Sequence, residues 1–166
     1  MLLPLLLPAL LAQAPEARIP NVVEIAPGVF VHRSAPDPTS YAALKAAGIQ
    51  KVIDVRRDGE PGANQAEEQS QLAALGIAYY RYAVPVAPPK GDYDRFRAIL
   101  REAKGMRVLV HCGDGNRASA LLCGWLILDR QMAPERALEV AHRNGLRRTD
   151  TEDSLKRMLA SYGRAS

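Results

Sequence analysis

Three short apolar runs separated by two helix-length polar stretches narrow what this chain can fold into more than any other feature. The runs are residues 51–56 (KVIDVR), 77–82 (IAYYRY) and 107–111 (RVLVH). Between them lie residues 65–75, followed by Gly76, and residues 92–103, with Gly105 close behind. Glycine just past a helical stretch is a C-terminal stop, because it adopts the left-handed conformation that closes the last turn. Each run is short and rich in β-branched or aromatic side chains, the pattern of a buried strand. Strand, helix, strand, helix, strand implies parallel pairing with right-handed crossovers. The chain is therefore expected to be α/β, with a central, mainly parallel sheet flanked by helices. Ligands of such sheets bind beyond the carboxyl ends of the strands. That rule gathers Arg56, Arg57, the loop after Tyr82 and the residues after His111 on one rim.

Local patterns extend the sheet at one end and the helices at the other. Residues 22–25 and 29–33 read as two strands joined at Pro27-Gly28, an N-terminal β-hairpin. His32 alternates with Phe30 and is expected at the surface. Asp37 is placed to cap a helix with Pro38 in its first position, carrying Tyr41, Leu44 and Ala47 and ended by Gly48. Residues 134–143 form an amphipathic helical pattern. Thr151 reads as the N-cap of a last helix carrying Leu155, Met158 and Leu159. The C-terminal part is thus expected to be all helical. Arg143, Arg147 and Arg148 form a basic patch there, either a solvated face or part of a docking surface.

At 166 residues the chain suits one domain with a real core. Residues 1–14 are Leu-rich and too short to span a bilayer, which takes about 20 apolar residues. They resemble the apolar stretch of a secretory signal peptide, with Ala12-Gln13-Ala14 as the cleavage triplet. No Lys or Arg precedes that stretch, and Pro15 follows the cut, which is awkward for a peptidase. Residues 15–20 read as a linker and 21–166 as a single domain. Export to the periplasm or the medium follows if the leader is a signal, a cytoplasmic location otherwise. No stable membrane span is expected, and the oligomeric state is open.

The net charge of +4 suits an anionic substrate. No run of Lys and Arg is interleaved with aromatics, so nucleic acid is not an expected partner. Of the two cysteines, Cys123 falls in the apolar stretch Leu121-Leu122-Cys123-Gly124-Trp125 and reads as core filling. On a helix it lies about 15 Å from Cys112, too far for a disulfide. No Cys/His grouping has metal-ligand spacing, so neither a metal nor a cofactor is expected.

The chemistry is concentrated in residues 108–119, VLVHCGDGNRAS. This is an apolar strand, a tight glycine-bearing loop and the start of a helix, with Cys112 at the strand end. Small and polar loop residues let backbone N–H groups turn inward at a helix N-terminus, which makes an anion cradle. The same field favours thiolate, the nucleophilic form of cysteine. Arg117 can grip two oxygens of a phosphate-like group. A lone cysteine after Val-Leu-Val would ordinarily be a small buried hydrophobe. His111 before it, Gly113 and Gly115 after it, and Arg117 five positions on argue for a site.

His111-Cys112-x-x-Gly115 followed by Arg117 resembles the phosphate loop of cysteine-dependent protein phosphatases, the tyrosine and dual-specificity group. That group usually has five residues between Cys and Arg. Here there are four, Gly113, Asp114, Gly115 and Asn116, and Ala118 stands at the usual Arg position. The short spacing resembles the bacterial beta-lactamase hydrolase-like group of phosphatase-like proteins, and also rhodanese sulfurtransferases. A wider likeness to the phosphatase family spans residues 22–146. It includes Ser34-Ala35-Pro36, Asp54-Val55-Arg56 and Val84-Pro85. Asp54-Val55-Arg56 also resembles a rhodanese signature, whereas the helical ending resembles the phosphatases.

The resemblance implies a protein tyrosine phosphatase-like fold and a cysteinyl-phosphate formed on Cys112 and hydrolysed by water. It places Gly113, Asp114, Gly115, Asn116 and Arg117 around the phosphate, with Arg56 on the same rim. It gives His111 the task of orienting the loop and favouring the thiolate, and Ser119 a supporting one. A leaving oxygen needs a proton, so a general acid is expected. Asp92 lies on the loop that often carries it but is also placed to cap a helix. Asp114 matches the Cys-x-Asp-Gly pattern of myotubularin-type lipid phosphatases, yet a carboxylate there repels phosphate and occurs in inactive relatives. Asp58 and Glu60 are further candidates. Three functions stay open: a phosphatase, a sulfurtransferase carrying a persulfide on Cys112, and an inactive anion-binding module.

Overall fold

The structure is a computed structural model that describes residues 19–164. The expected leader and most of the expected linker lie outside the described residues. Strands β1 (Val22–Ala26) and β2 (Val29–His32) form the hairpin, and a 3-10 turn at Pro38–Ser40 leads into α1 (Tyr41–Ala46). Asp37 caps that turn by accepting from Thr39 N at 2.8 Å. The alternation then runs β3 (Lys51–Asp54), α2 (Gln65–Ala74), β4 (Ala78–Arg81), α3 (Lys90–Glu102) and β5 (Val108–His111). Helices α4 (Asn116–Leu128), α5 (Pro134–Arg143) and α6 (Thr149–Ser161) complete the chain.

The five strands lie in the order β1-β2-β5-β3-β4, with β1 antiparallel to β2 and the other pairs parallel. Strand side chains alternate between faces, and the register uses this strictly. Val29, Val31, Ile53, Val55, Val108, Val110 and Cys112 pack toward α3, α4, α5 and α6. Phe30, Val52 and Leu109 pack on the other face with Tyr41 and Leu44 of α1 and Leu72 of α2. Helix α4 is buried from Asn116 to Ile127, because the sheet, α3, α5 and α6 enclose it. This is why its sequence shows no polar face.

Two local expectations are corrected. His32 is buried, not at the surface, because α2 covers that face of the sheet and β1 and β5 flank β2. Thr151 is not an N-cap: α6 begins two residues earlier, and the Thr151 hydroxyl is spent inside the fold. Cys123 is buried, and burial pushes its thiol up to about 12. It is therefore an inert core side chain.

Candidate active site

Strand β5 delivers Cys112 to the carboxyl end of the sheet, and residues 112–115 turn the chain into α4. Gly115 makes the turn with φ +80. A Cβ on it would lie 2.7 Å from Asn144 O and 3.0 Å from Arg33 O. A Cβ on Gly145 would in turn lie 3.0 Å from Gly115 Cα. The loop is thus wedged between the end of β2 and the α5–α6 corner, backbone against backbone. Asn116 locks this packing. Its amide donates to Thr151 Oγ1 at 2.7 Å, and its oxygen accepts from Arg147 N and Arg148 N at 3.0 and 3.1 Å. The Thr151 hydroxyl donates to Val86 O at 2.6 Å, which ties in the loop after β4.

Arg117, in the first turn of α4, is almost fully buried. Its Nη1 and Nη2 donate to Glu60 Oε1 and Oε2 at 2.5 and 2.7 Å, and Nη1 also donates to Val84 O at 3.1 Å. A guanidinium has five N–H bonds. Three are used here, and the two left, on Nε and Nη2, lie along one edge. That edge is the fork that fits two oxygens of a phosphoryl group. Glu60 is itself anchored by Arg57 N at 2.9 Å. Its hydrogen bond to Arg117, outweighing partial burial, holds its carboxyl below the usual carboxylate range.

Asp114 lies within the loop. The Cys112 thiol donates to Asp114 Oδ1 at 3.5 Å, and Asn116 N donates to the same oxygen at 3.1 Å. On its outer side Arg147 Nη2 donates to Oδ2 at 2.7 Å and Nη1 to the Asp114 carbonyl at 3.1 Å. The carboxylate is 46% exposed and Arg147 58%. The expected basic patch therefore splits. Arg147 joins the loop, while Arg143 pairs with Glu139 and Arg148 with Asp150.

Behind the loop, register puts His32, His111 and Asp54 side by side in one row across β2, β5 and β3. The row faces α2, which contributes Glu68. Arg56 is not on the rim, where sequence placed it, but folded under the sheet end. Its Nε and Nη2 donate to Asp54 Oδ1 and Oδ2 at 2.9 Å each, and Nη2 also donates to Glu68 Oε2. The guanidinium is thus buried against two carboxylates rather than exposed at the rim. Tyr79 donates to Asp54 Oδ2 at 2.7 Å. Burial opposes the Asp54 charge, but Arg56, the charge of His111 and Tyr79 outweigh it and hold the carboxyl below its usual range. Burial pushes His32 down to about 4, so it is neutral at pH 7.

Other residues singled out in the sequence have partners of their own. Ser119 donates to Asn144 O at 2.8 Å and ties α4 to the end of α5. Asp92 is in the first turn of α3 rather than capping it, and accepts from Tyr82 OH at 2.9 Å. Asp58 pairs with Arg81 at an exposed position. The Asn116 side chain points into the fold, so only its backbone N–H faces the loop. Glu60 meets the site through Arg117, a pairing across 57 residues that no local pattern announces. Glu68 was not foreseen at all, although its place one turn before the buried Leu72 on α2 was a usable signal.

Known proteins resemble this chain in both sequence and fold. A beta-lactamase hydrolase-like protein of Xylella fastidiosa is 25% identical over 134 residues, which is 79% of this chain and 31% of that protein. The chain thus spans less than a third of the length of that curated relative. A solved structure from Shewanella putrefaciens CN-32 described as a "Putative phosphatase (DUF442)" superposes with a TM-score of 0.73 at 25% identity, covering 87% of this chain and 94% of its own. P. aeruginosa TpbA, solved in complex with pTyr, gives a TM-score of 0.64 at 15% identity, covering 82% and 81%, a likeness of fold alone. The model of a family described as a DSP-PTPase phosphatase fused to NAD+ kinase matches residues 21–158, and the chain belongs to that phosphatase family.

Proposed function

We propose that this chain is a cysteine-dependent phosphatase of the protein tyrosine or dual-specificity type. It hydrolyses a phosphomonoester with Cys112 as nucleophile and a cysteinyl-phosphate as intermediate. The observation that carries this reading is Arg117, gripped end-on by Glu60 and Val84 O so that its remaining edge is a preformed fork beside the Cys112 loop. Preformed donors aimed at developing charge are worth far more than donors that must reorganise.

The Cys112–Asp114 contact supplies the proton chemistry. Transfer of the thiol proton to Asp114 leaves a thiolate beside a carboxylic acid. The thiolate attacks phosphorus, the S–P bond forms, and the P–O bond to the leaving group breaks. The leaving oxygen takes the proton from Asp114. Water then attacks the same phosphorus and gives a proton to the Asp114 carboxylate. The S–P bond breaks and inorganic phosphate departs. Loop N–H groups and Arg117 hold the equatorial oxygens throughout. Arg147 offsets the Asp114 charge, which would otherwise repel an incoming phosphate. Cys112 is buried at the base of the loop. A phosphorylated, anionic substrate fits the basic chain, and phosphotyrosine, the ligand in the TpbA structure, is the first to try.

The test is to incubate the purified chain with an aryl phosphate and, in parallel, with thiosulfate, reading product and intact mass. Phosphate release blocked by vanadate is the expected result. Gain of one sulfur on Cys112 without phosphate release would assign a sulfurtransferase, and vanadate binding without turnover an anion-binding module.

The role of Asp114 has its own signature. Asp114→Asn is expected to slow both substrates, since the thiol and the attacking water lose their proton acceptor, but an alkyl phosphate about a hundredfold more than p-nitrophenyl phosphate, because only the poor leaving group needs a proton. Arg147→Ala is expected to raise KM about tenfold, and adding Asp114→Asn to cancel that rise, since the uncompensated charge is then gone. Steady-state kinetics of the four proteins check both statements.

A further inference from the structure

We infer that Glu68 is a positioning residue for Cys112, holding His111 as a doubly protonated imidazolium directly behind the nucleophile. The inference deepens the phosphatase reading and rests on it only in taking Cys112 as the working side chain.

The first argument is the company each ring nitrogen keeps. His111 Nε2 lies 3.0 Å from Glu68 Oε1. Neither atom has a hydrogen-bond partner elsewhere among the described residues. Nδ1 lies 3.4 Å from Cys112 O and 3.9 Å from Asp54 Oδ1. All three of these oxygens are acceptors when both carboxyls are ionised. A neutral imidazole has one N–H and one lone pair. Either tautomer would therefore aim a lone pair at an oxygen, whereas the imidazolium satisfies both sides.

The second argument is charge. The buried set contains two carboxylates, Asp54 and Glu68, and one guanidinium, Arg56. That leaves one negative charge out of water, which is costly unless paired. A proton on His111 closes the balance. The other groups facing this set cannot do so. His32 from β2 is neutral, since burial pushes it down to about 4. Tyr41 from α1 and Tyr79 from β4 keep their protons, because burial pushes both phenols up.

The consequence is felt one residue on. Cys112 follows His111 directly, with Asp114 and Arg117 on its far side. A fixed positive charge behind the sulfur favours thiolate and drives its proton toward Asp114. Glu68 touches neither Cys112 nor the phosphate site, so it acts only through His111.

The test reads carbamidomethylation of Cys112 by iodoacetamide against pH in the full chain, with peptide mapping to separate it from Cys123. Glu68→Gln is expected to slow the reaction about tenfold at pH 6, because less of the thiol is then ionised, and to move the whole profile to higher pH. Glu68→Asp, which keeps the charge, is expected to recover most of the loss. In a His111→Gln background Glu68→Gln is expected to change the rate less than twofold. An unchanged rate in Glu68→Gln overturns the inference, as does an equal slowing without His111. If Glu68→Gln does not fold, the nitrogen chemical shifts of His111 in the unaltered protein decide. Two protonated nitrogens at pH 7 sustain the inference and one unprotonated nitrogen overturns it. No arm reads phosphate turnover, so a chain that releases no phosphate would end the phosphatase reading and leave this inference standing on its own result.

Discussion

Cys112→Ser is expected to lower aryl phosphate turnover by about a thousandfold or more while the protein still folds. The oxygen is smaller than sulfur, but the side chain keeps its shape and can still donate to Asp114 as the thiol does. What is lost is the anion: a serine hydroxyl is far less acidic than a thiol and has no comparable ionised fraction at neutral pH, even beside Asp114. Removing a nucleophile typically removes nearly all of the catalysis that its partners support. The cradle is untouched, so Cys112→Ser should still bind phosphate or vanadate through Arg117 and the loop N–H groups. Initial rates together with anion-protected thermal melting check both halves. Turnover at the original rate in Cys112→Ser would mean that another group attacks phosphorus.

Gly115→Ala is the second large expectation, and it concerns stability. At φ +80 an alanine costs about 1 kcal/mol. Its Cβ would also stand 2.7 Å from Asn144 O and 3.0 Å from Arg33 O. Both are main-chain atoms and cannot swing aside as a side-chain tip could. Overpacking of this kind adds about 1–3 kcal/mol. A total near ~2–4 kcal/mol corresponds to a fall in melting temperature of roughly 5–15 °C for a domain of this size. Gly113→Ala is the control. Gly113 has no positive φ, and the nearest atom to its added Cβ is Glu60 Oε2 at 3.9 Å. Its melting temperature should barely move. Equal destabilisation at both positions would show that close backbone packing at Gly115 is not what shapes the loop.

The contrast between these two glycines illustrates what could and could not be read from the chain. Both stand out in the stretch from Cys112 to Arg117, and both suit a tight loop. Only the approach of Asn144 and Arg33, each far away in sequence, makes one indispensable and the other tolerant. Arg56 and Arg147 differ in the same way. Topology brought Arg56 to the carboxyl end of β3 but gave no sign that Asp54 and Glu68 would draw its guanidinium inward. Arg147 was one of three basic residues in a local patch. Its neighbours pair within their own segments, and Arg147 alone reaches Asp114, because Asn116 holds its main chain against the loop.

His32 departs from its expected place for a related reason, and the Ser119 partner was hidden in the same way. Alternation along β2 gives two faces but does not say which is covered, and here both are. Helical position puts Ser119 in the first turn of α4, but its hydroxyl is drawn to the free carbonyl at the end of α5.

By itself the sequence determined the parallel alternation, the hairpin, the helical ending and the loop from Cys112 to Arg117. These follow from short-range physics: side-chain periodicity, glycine and proline at turns, and donors gathered at a helix N-terminus. The tertiary structure alone decided the charge partners: Glu60 on Arg117, Arg147 on Asp114, and Glu68 with Asp54 around Arg56 and His111. Those pairings join residues from separate elements, and a buried charge takes whichever opposite charge the packing leaves within reach. No local pattern records that choice, because it is made only when the helices close over the sheet and the water leaves.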